Sequence, residues 1–104
     1  RRNSMKIGDR VGVILGSNKD GSVDFFGFGF YEGDFVPTEA VGQLAEIMRE
    51  ADHVNPRIRL DSGSVVYGCE CWWGSEEKVK KMLDGQRVNV VSIDEVRAKF
   101  AKEG

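Results

Sequence analysis

The run RVGVIL at residues 10–15 is followed by the turn sequence KDGS at residues 19–22 and by the Phe-rich run VDFFGFGFY at residues 23–31. Branched and aromatic residues favour strands, and Asp-Gly between two apolar runs is typical of a tight β-turn. These runs therefore predict a β-hairpin near the start of the chain, and the remaining elements are predicted outward from it.

A helix is predicted over residues 38–52. Thr38 follows a proline and is placed to cap the first turn, and Asn55-Pro56 lies just beyond the end. Apolar residues recur at helical spacing between these signals: Val41, Leu44, Ala45, Ile47, Met48 and Ala51.

The second half of the chain predicts another hairpin, with strands at residues 57–60 and 64–73 around the turn sequence DSG. Ser75 then caps a short helix that faces Val79, Met82 and Leu83 inward and ends at Gly85. A fifth strand at residues 87–93 follows, and the capping box SIDE at residues 92–95 opens a last helix.

The predicted fold class is α+β, a single small domain with a mainly antiparallel sheet in the order ββαββαβα. The length of 104 residues fits one domain, which we assign to residues 5–104. Residues 1–4 precede Met5, and we interpret them as a segment added for expression or as a disordered N-terminus.

Composition excludes several partners. The formal net charge of −2 argues against a general polyanion-binding protein, so nucleic acid is a disfavoured partner. No apolar run approaches the roughly 20 residues that cross a bilayer, so no membrane partner is predicted.

Cys69 and Cys71 are separated by one residue. A disulfide between them would be strained, and a small secreted domain normally has more cysteines, so we predict reduced thiols and a cytoplasmic location. The favoured interpretation is that both are buried small apolar residues. Zinc, with His53 or a second chain supplying further ligands, is the alternative, and no cofactor is predicted. A catalytic Cys–His pair is disfavoured, because Glu70 is adjacent and the chain has one histidine.

Alternation along the predicted strands assigns side chains to two faces. The predicted core faces carry Phe26, Phe28 and Phe30 on the first hairpin and Val65, Tyr67, Cys69, Cys71 and Trp73 on the second. The opposite faces carry Phe25, Gly27, Gly29, Tyr31 and Gly33, and Val66, Gly68, Glu70 and Trp72. Glycine in a strand often marks the close approach of a ligand or another backbone.

These opposite faces predict one binding surface, the aromatic platform, formed by Phe25, Tyr31, Glu70 and Trp72. Aromatic residues with a polar group are enriched at interfaces, and a cation can stack on such rings. The alternative is that a helix covers this face. Arg57 and Arg59 share one face of a strand and are added to the candidate binding residues, because they could grip a phosphate or carboxylate. Ordinary surface pairs with Asp61 or Glu70 are equally consistent with their position.

Three runs also carry a resemblance: GDRV at residues 8–11, GFGFYEG at 27–33 and IRLDSGSVV at 58–66. Together they resemble the strands of small SH3-like barrels of the Tudor and KOW type. The resemblance covers residues up to 73, apart from the predicted helix, which such barrels usually lack there. It implies an SH3-like β core with added helices, and it does not assign a function.

The predicted function is a non-catalytic cytoplasmic binding module, whose aromatic and Gly-rich β surface contacts a protein partner or a second copy in a homodimer. The alternative hypothesis is a small-ligand-binding protein or small enzyme. In it, Glu70 acts as acid or base in an aromatic pocket, with Tyr31, Tyr67 and Arg57 or Arg59 beside it.

Overall fold

The computed structural model describes residues 5–103, so the prediction for residues 1–4 lies outside the described part of the chain. It confirms a small α+β domain with a mainly antiparallel sheet and three helices. The strands are β1 (Arg10–Ser17), β2 (Val23–Phe35), β3 (Asn55–Leu60), β4 (Val65–Tyr67), β5 (Trp72–Ser75) and β6 (Val88–Val90). The helices are α1 (Gln43–Glu50), α2 (Glu76–Leu83) and α3 (Ile93–Glu103).

Five strands follow the order β4-β3-β2-β1-β5 and pair antiparallel, while β6 pairs in parallel with the first residues of β2. The single strand predicted over residues 64–73 is therefore wrong. Its first part, β4, pairs with β3, and its last part, β5, pairs with β1. A short 3-10 helix, Gly68–Glu70, separates the two parts, and the Glu70 carboxylate accepts a hydrogen bond from the Tyr67 amide at 3.0 Å.

This turn also changes which side chains share a face. Val66, predicted on the outward face, lies in the main core together with Ile58 and Leu60, and Trp73 packs against it. Tyr67 is buried as predicted, but in a second cluster beside Ala40. Alternation holds within β4, where Val65 and Tyr67 share the second cluster and both faces are buried. It is interrupted at residues 68–70, where the backbone leaves the extended conformation, so Trp73 lies on the side of Val66.

A β-bulge breaks the alternation in the first hairpin as well. Val13 pairs with Gly27 and Ile14 pairs with Phe25, so Phe26 is an extra residue on β2. Gly27 has a φ of +134°, a conformation that favours glycine. The predicted core trio is therefore wrong: Phe26 lies in the main core, whereas Phe28 lies beside Phe25 on the other face, and Phe30 is 43% exposed.

Helix α2 covers the outer face of β1. Val79 is fully buried there and packs with Ile14 and Phe25, a set we call the outer cluster. Gly12 permits this contact, because a Cβ at that position would lie 2.6 Å from Cγ1 of Val79. The predicted cap of α2 is confirmed, since the Ser75 hydroxyl accepts a hydrogen bond from the Lys78 amide at 3.1 Å.

The predicted start of the first helix is wrong. Helix α1 begins at Gln43, after Gly42 with a φ of +105°, and no side chain caps it. The Thr38 hydroxyl instead bonds the neighbouring Glu39 carboxylate at 3.0 Å. Because α1 is short and buries Ala45 alone, Leu44 and Ile47 are exposed rather than in the core.

Candidate functional site

The predicted aromatic platform does not form, because the bulge at Phe26 places Phe25 and Tyr31 on opposite faces of β2. Phe25 is buried in the outer cluster, under α2. Tyr31 is half-buried against the main core, where its ring stacks on Trp73 with centroids 5.5 Å apart. The Tyr31 hydroxyl donates to the Asp34 carboxylate at 2.6 Å, and this bond raises the pKa of Tyr31 to about 12.

Arg57 and Arg59 share one carboxylate. Their Nε atoms donate to the two oxygens of Glu32, at 2.9 Å and 3.0 Å. The Arg57 guanidinium also lies 3.6 Å from the centroid of the Phe35 ring. The alternative of ordinary ion pairs holds, but with Glu32 as the partner instead of Asp61 or Glu70. Asp61 is bound by Arg10 through two hydrogen bonds. Both arginines are therefore joined to Glu32 on β2, the residue that follows Tyr31.

Glu70 is occupied by contacts within the fold. Its two carboxylate oxygens accept hydrogen bonds from Arg97 at 2.8 Å and 2.9 Å, and one of them also accepts from the Tyr67 amide. Arg97 further donates to the Val65 carbonyl at 2.7 Å. The side chains of Glu70 and Arg97 are only 9% and 13% exposed. The pair therefore joins the turn after β4 to α3.

Trp72 is the predicted site residue that combines a large apolar surface with solvent exposure. It is 41% exposed and stands opposite Ile14 in the pairing of β5 with β1. A cavity of about 320 Å³, which we call the Trp72 groove, opens beside it. The groove is lined by Ile14, Gly16, Ser17, Val23, Trp72, Met82 and Leu83.

The groove is built where the outer cluster reaches the surface. Ile14 belongs to that cluster, and Val23 and Leu83 pack against it, so the floor is apolar. Met82, predicted to face inward, is 45% exposed and forms one wall. The helical spacing of Val79, Met82 and Leu83 is typical of a core face, so the sequence carries no signal that separates the exposed Met82 from Val79 and Leu83.

Lys78 lies beside Trp72 but outside the lining of the groove. The Nζ of Lys78 lies 5.9 Å from the centroid of the Trp72 ring, within the range of a cation–π contact. Lys78 and Met82 are one helical turn apart on α2. Among the residues that the structure describes, those lining the groove include no charged side chain of either sign.

A second cavity of about 260 Å³ lies between α1 and α3. Its lining includes Leu44, Ala45, Cys69, Glu70 and Phe100. Glu70 faces it while bonded to Arg97, so the cavity contains a carboxylate that is already paired.

The two thiols are free and half-buried. The Cys71 thiol donates to the Tyr67 carbonyl at 3.4 Å, and burial raises its pKa to about 12. Burial also raises the pKa of Cys69. Within residues that the structure describes, His, Cys, Asp and Glu side chains form no group of three that could hold a metal ion.

None of the helices in the described part of the chain is both long and apolar enough to cross a membrane. Comparison with models of protein families, with curated proteins and with solved structures gives no match for this chain.

Proposed function

We propose that this protein is a non-catalytic binding module that takes an apolar side chain of a protein partner into the Trp72 groove. The observation that carries the proposal is the exposure of Trp72 beside Met82, at an open cavity whose floor is the buried outer cluster. Trp and Met are enriched in protein interfaces, and a rigid pocket under an exposed aromatic ring is a typical position for a dominant contact.

The size of the groove supports a side chain as its occupant. A volume of about 320 Å³ lies at the lower end of the range for small-molecule pockets, roughly 300–1,000 Å³. Its lining is largely apolar, and Met82 is a flexible side chain that adapts to the shape of a bound group. The groove therefore suits one large apolar side chain, held between the Trp72 ring and α2.

The strand order supports an SH3-like β core as part of this proposal. Strand β1 pairs with both β2 and β5, and β4 and β5 stand at the two ends of the order, joined by the turn Gly68–Glu70 and Cys71. This arrangement agrees with the resemblance seen in the strand sequences. A cytoplasmic location is likewise a proposal, supported by the two free thiols.

The second candidate function is a small-ligand-binding or enzymatic role for Glu70. The cavity between α1 and α3 favours it, because Glu70 and Cys69 both line that cavity. The hydrogen bonds of Glu70 to Arg97 and Tyr67 support a structural role instead. Three of the roughly four acceptor positions of this carboxylate are filled by groups of the fold.

A library of random peptides displayed on phage, selected on the whole chain, tests the binding proposal. We expect the selected peptides to lose binding to Trp72→Ala and to keep binding to Phe30→Ala. Phe30 is a matched control, because it is also aromatic and similarly exposed, at 43%. Both variants should unfold cooperatively in a thermal melt. Equal binding of the peptides to Trp72→Ala and the wild type would contradict the proposal.

A further inference from the structure

We infer that the free edge of β6 is a self-association surface, at which two copies of this chain pair their β6 strands antiparallel about a two-fold axis at Asn89. The inference goes beyond the proposed function, because it concerns a second surface and a second copy of the chain. Three features carry it: backbone groups that point away from β2, a sequence that is symmetric about Asn89, and opposite charges at the ends of the paired segment.

Strand β6 uses every second residue to pair with β2. The Arg87 carbonyl accepts a hydrogen bond from a β2 amide at 2.9 Å, and the Val91 amide donates to a β2 carbonyl at 3.0 Å. Because backbone groups alternate in direction along a strand, Val88 and Val90 point their N–H and C=O groups to the opposite edge. Among the described strands, β2 is the one partner of β6, so that edge is open. An open strand edge is a template for the addition of another strand.

The sequence of the open edge selects a second copy as its occupant. The run VNV at residues 88–90 reads the same in both directions. When two β6 strands pair antiparallel about Asn89, Val88 of each copy stands opposite Val90 of the other. This register makes both pairs hydrogen-bonded pairs, so it uses every N–H and C=O group that the two valines direct to the open edge.

The valine side chains meet in the same register. Val88 and Val90 pair with Val23 and Phe25 of β2 and therefore share the face of the outer cluster. Val90 is 80% exposed, so its apolar surface faces water in the single chain. Cross-strand contacts between β-branched side chains stabilise an antiparallel pair.

The polar residue at the axis is already held by its own chain. The Asn89 side-chain amide donates to the Ser22 hydroxyl at 3.1 Å and to the Asp24 carboxylate at 3.0 Å. These bonds turn the side chain toward β2. The arrival of a second strand at the open edge therefore breaks neither of them.

Opposite charges meet at both ends of the paired segment. In this register, Arg87 of one copy stands opposite Val91 of the other, on the inner face. Val91 and Glu95 together line a cavity of about 400 Å³. Glu95 is exposed and makes no salt bridge with any described residue. Arg87 is also exposed, and its salt bridge with Asp20 leaves further guanidinium N–H groups for a second carboxylate.

The paired segment is short, so the dimer is weak. A stable interface buries roughly 1,200–2,000 Å², and two strands of this length supply only part of that area. Asp84 and Asp94 flank β6 in segments that have left the sheet, and they add repulsion between the copies. We expect a dissociation constant on the order of 100 μM.

Sedimentation velocity of the whole chain, from about 10 μM to about 1 mM, tests the inference, because this range spans the expected dissociation constant. Val90→Lys places a charge at the open edge and should weaken dimerisation by about tenfold or more. Val54→Lys is the matched control, because Val54 is 50% exposed and precedes β3, and it should change dimerisation by less than about twofold. If Val90→Lys does not fold by circular dichroism, Val90→Pro takes its place, since it removes an N–H group of the open edge and no hydrogen bond to β2.

Charge exchange tests the register. Arg87→Glu and Glu95→Arg should each weaken the dimer, and the protein with both changes should dimerise to within about threefold of the wild type. A monomer up to about 1 mM, a dimer indifferent to Val90→Lys, or a double variant without restored dimerisation would overturn the inference. A dimer that Trp72→Ala converts to monomer would assign self-association to the Trp72 groove and would also overturn it.

Discussion

Glu70 and Arg97 form a nearly buried ion pair through two hydrogen bonds, of 2.8 Å and 2.9 Å, and this pair is the polar attachment of α3 to the turn after β4. Arg97 also bonds the Val65 carbonyl, so one guanidinium holds three acceptors from a single short segment. Removal of one partner from a buried pair leaves a charge without compensation.

Arg97→Met should therefore lower the free energy of unfolding by about 3 kcal/mol, measured by urea denaturation at neutral pH. The matched control is Arg87→Met, which removes the well-exposed pair with Asp20 and should lower the free energy of unfolding far less. Similar losses in the two variants would show that the Glu70–Arg97 pair contributes no more than a surface salt bridge.

Gly29 lies on β2, directly against the backbone of β3. A Cβ there would meet the Arg59 carbonyl oxygen and would lie 2.7 Å from Cα of Leu60, and both contacts are with backbone that cannot rotate away. We expect Gly29→Ala to lose at least about 2 kcal/mol of stability or to fail to fold. Gly16→Ala is the control, because nothing lies within 4 Å of its Cβ position, and its melting temperature should change little. A stable Gly29→Ala protein would mean that β2 and β3 can separate without cost.

Tyr67 and Glu39 give stability that depends on pH. The buried Tyr67 hydroxyl donates to the Glu39 carboxylate and holds the pKa of Glu39 below its ordinary value of 4.5. The pKa of Glu39 is lower in the folded protein than in the unfolded chain. The bond therefore stabilises the folded protein fully above pH 4.5, and this contribution is lost as the pH falls through the pKa that Glu39 has in the folded protein.

Tyr67→Phe should thus cost about 1 kcal/mol at pH 7, and the difference from the wild type should shrink at pH 3. Urea denaturation at the two pH values measures both quantities, and an NMR titration of Glu39 should show its pKa rising in the variant. An equal difference at both pH values would rule out the charged hydrogen bond as its source.

The thiols should react slowly in the native protein. With a pKa of about 12, Cys71 has about one part in 10,000 as thiolate at pH 8, and the pKa of Cys69 is also raised. Alkylation by iodoacetamide at pH 8, followed by mass spectrometry, should be much faster in urea than in buffer. Two variants separate the thiols: Cys69→Ser retains Cys71, and Cys71→Ser retains Cys69. The thiol of the Cys69→Ser protein should be alkylated more slowly than that of the Cys71→Ser protein. Native rates equal to those in urea would show that Cys71 is not shielded.

The sequence predicts well which segments form strands and helices. It predicts poorly which face of the sheet each side chain occupies. The first hairpin, the Ser75 cap and, apart from the division of the strand at residues 64–73, the order of strands and helices depend on local chemistry, and each is present. The hairpin turn, however, is centred on Lys19 and Asp20, with the Gly21 amide bonded to the Asn18 carbonyl, and not on Asp20 and Gly21. The aromatic platform depended on uninterrupted alternation over two strands. One extra residue at Phe26 and one short turn at residues 68–70 reverse that alternation, and neither has a unique local signature.

The sequence predicts Trp72, the central residue of the groove, but not the residues that surround it. Trp72 was among the predicted site residues, whereas its neighbours Ile14, Val23 and Met82 come from three other elements. Their proximity depends on β5 pairing with β1 and on α2 crossing β1, which are contacts between distant parts of the chain. Local patterns do not report contacts of that kind.

Strand β2 pairs with β1, β3 and β6, so opening its backbone breaks the sheet in three places. Helix α1, which buries Ala45 alone, can open while that sheet stays intact. Amide hydrogens of the two elements should therefore exchange with solvent by different routes: those of α1 by local fraying, and those in the middle of β2 only when the whole domain unfolds. The amides in the middle of the longest strand should therefore be the slowest in the molecule to exchange, and their exchange rate should report the free energy of global unfolding.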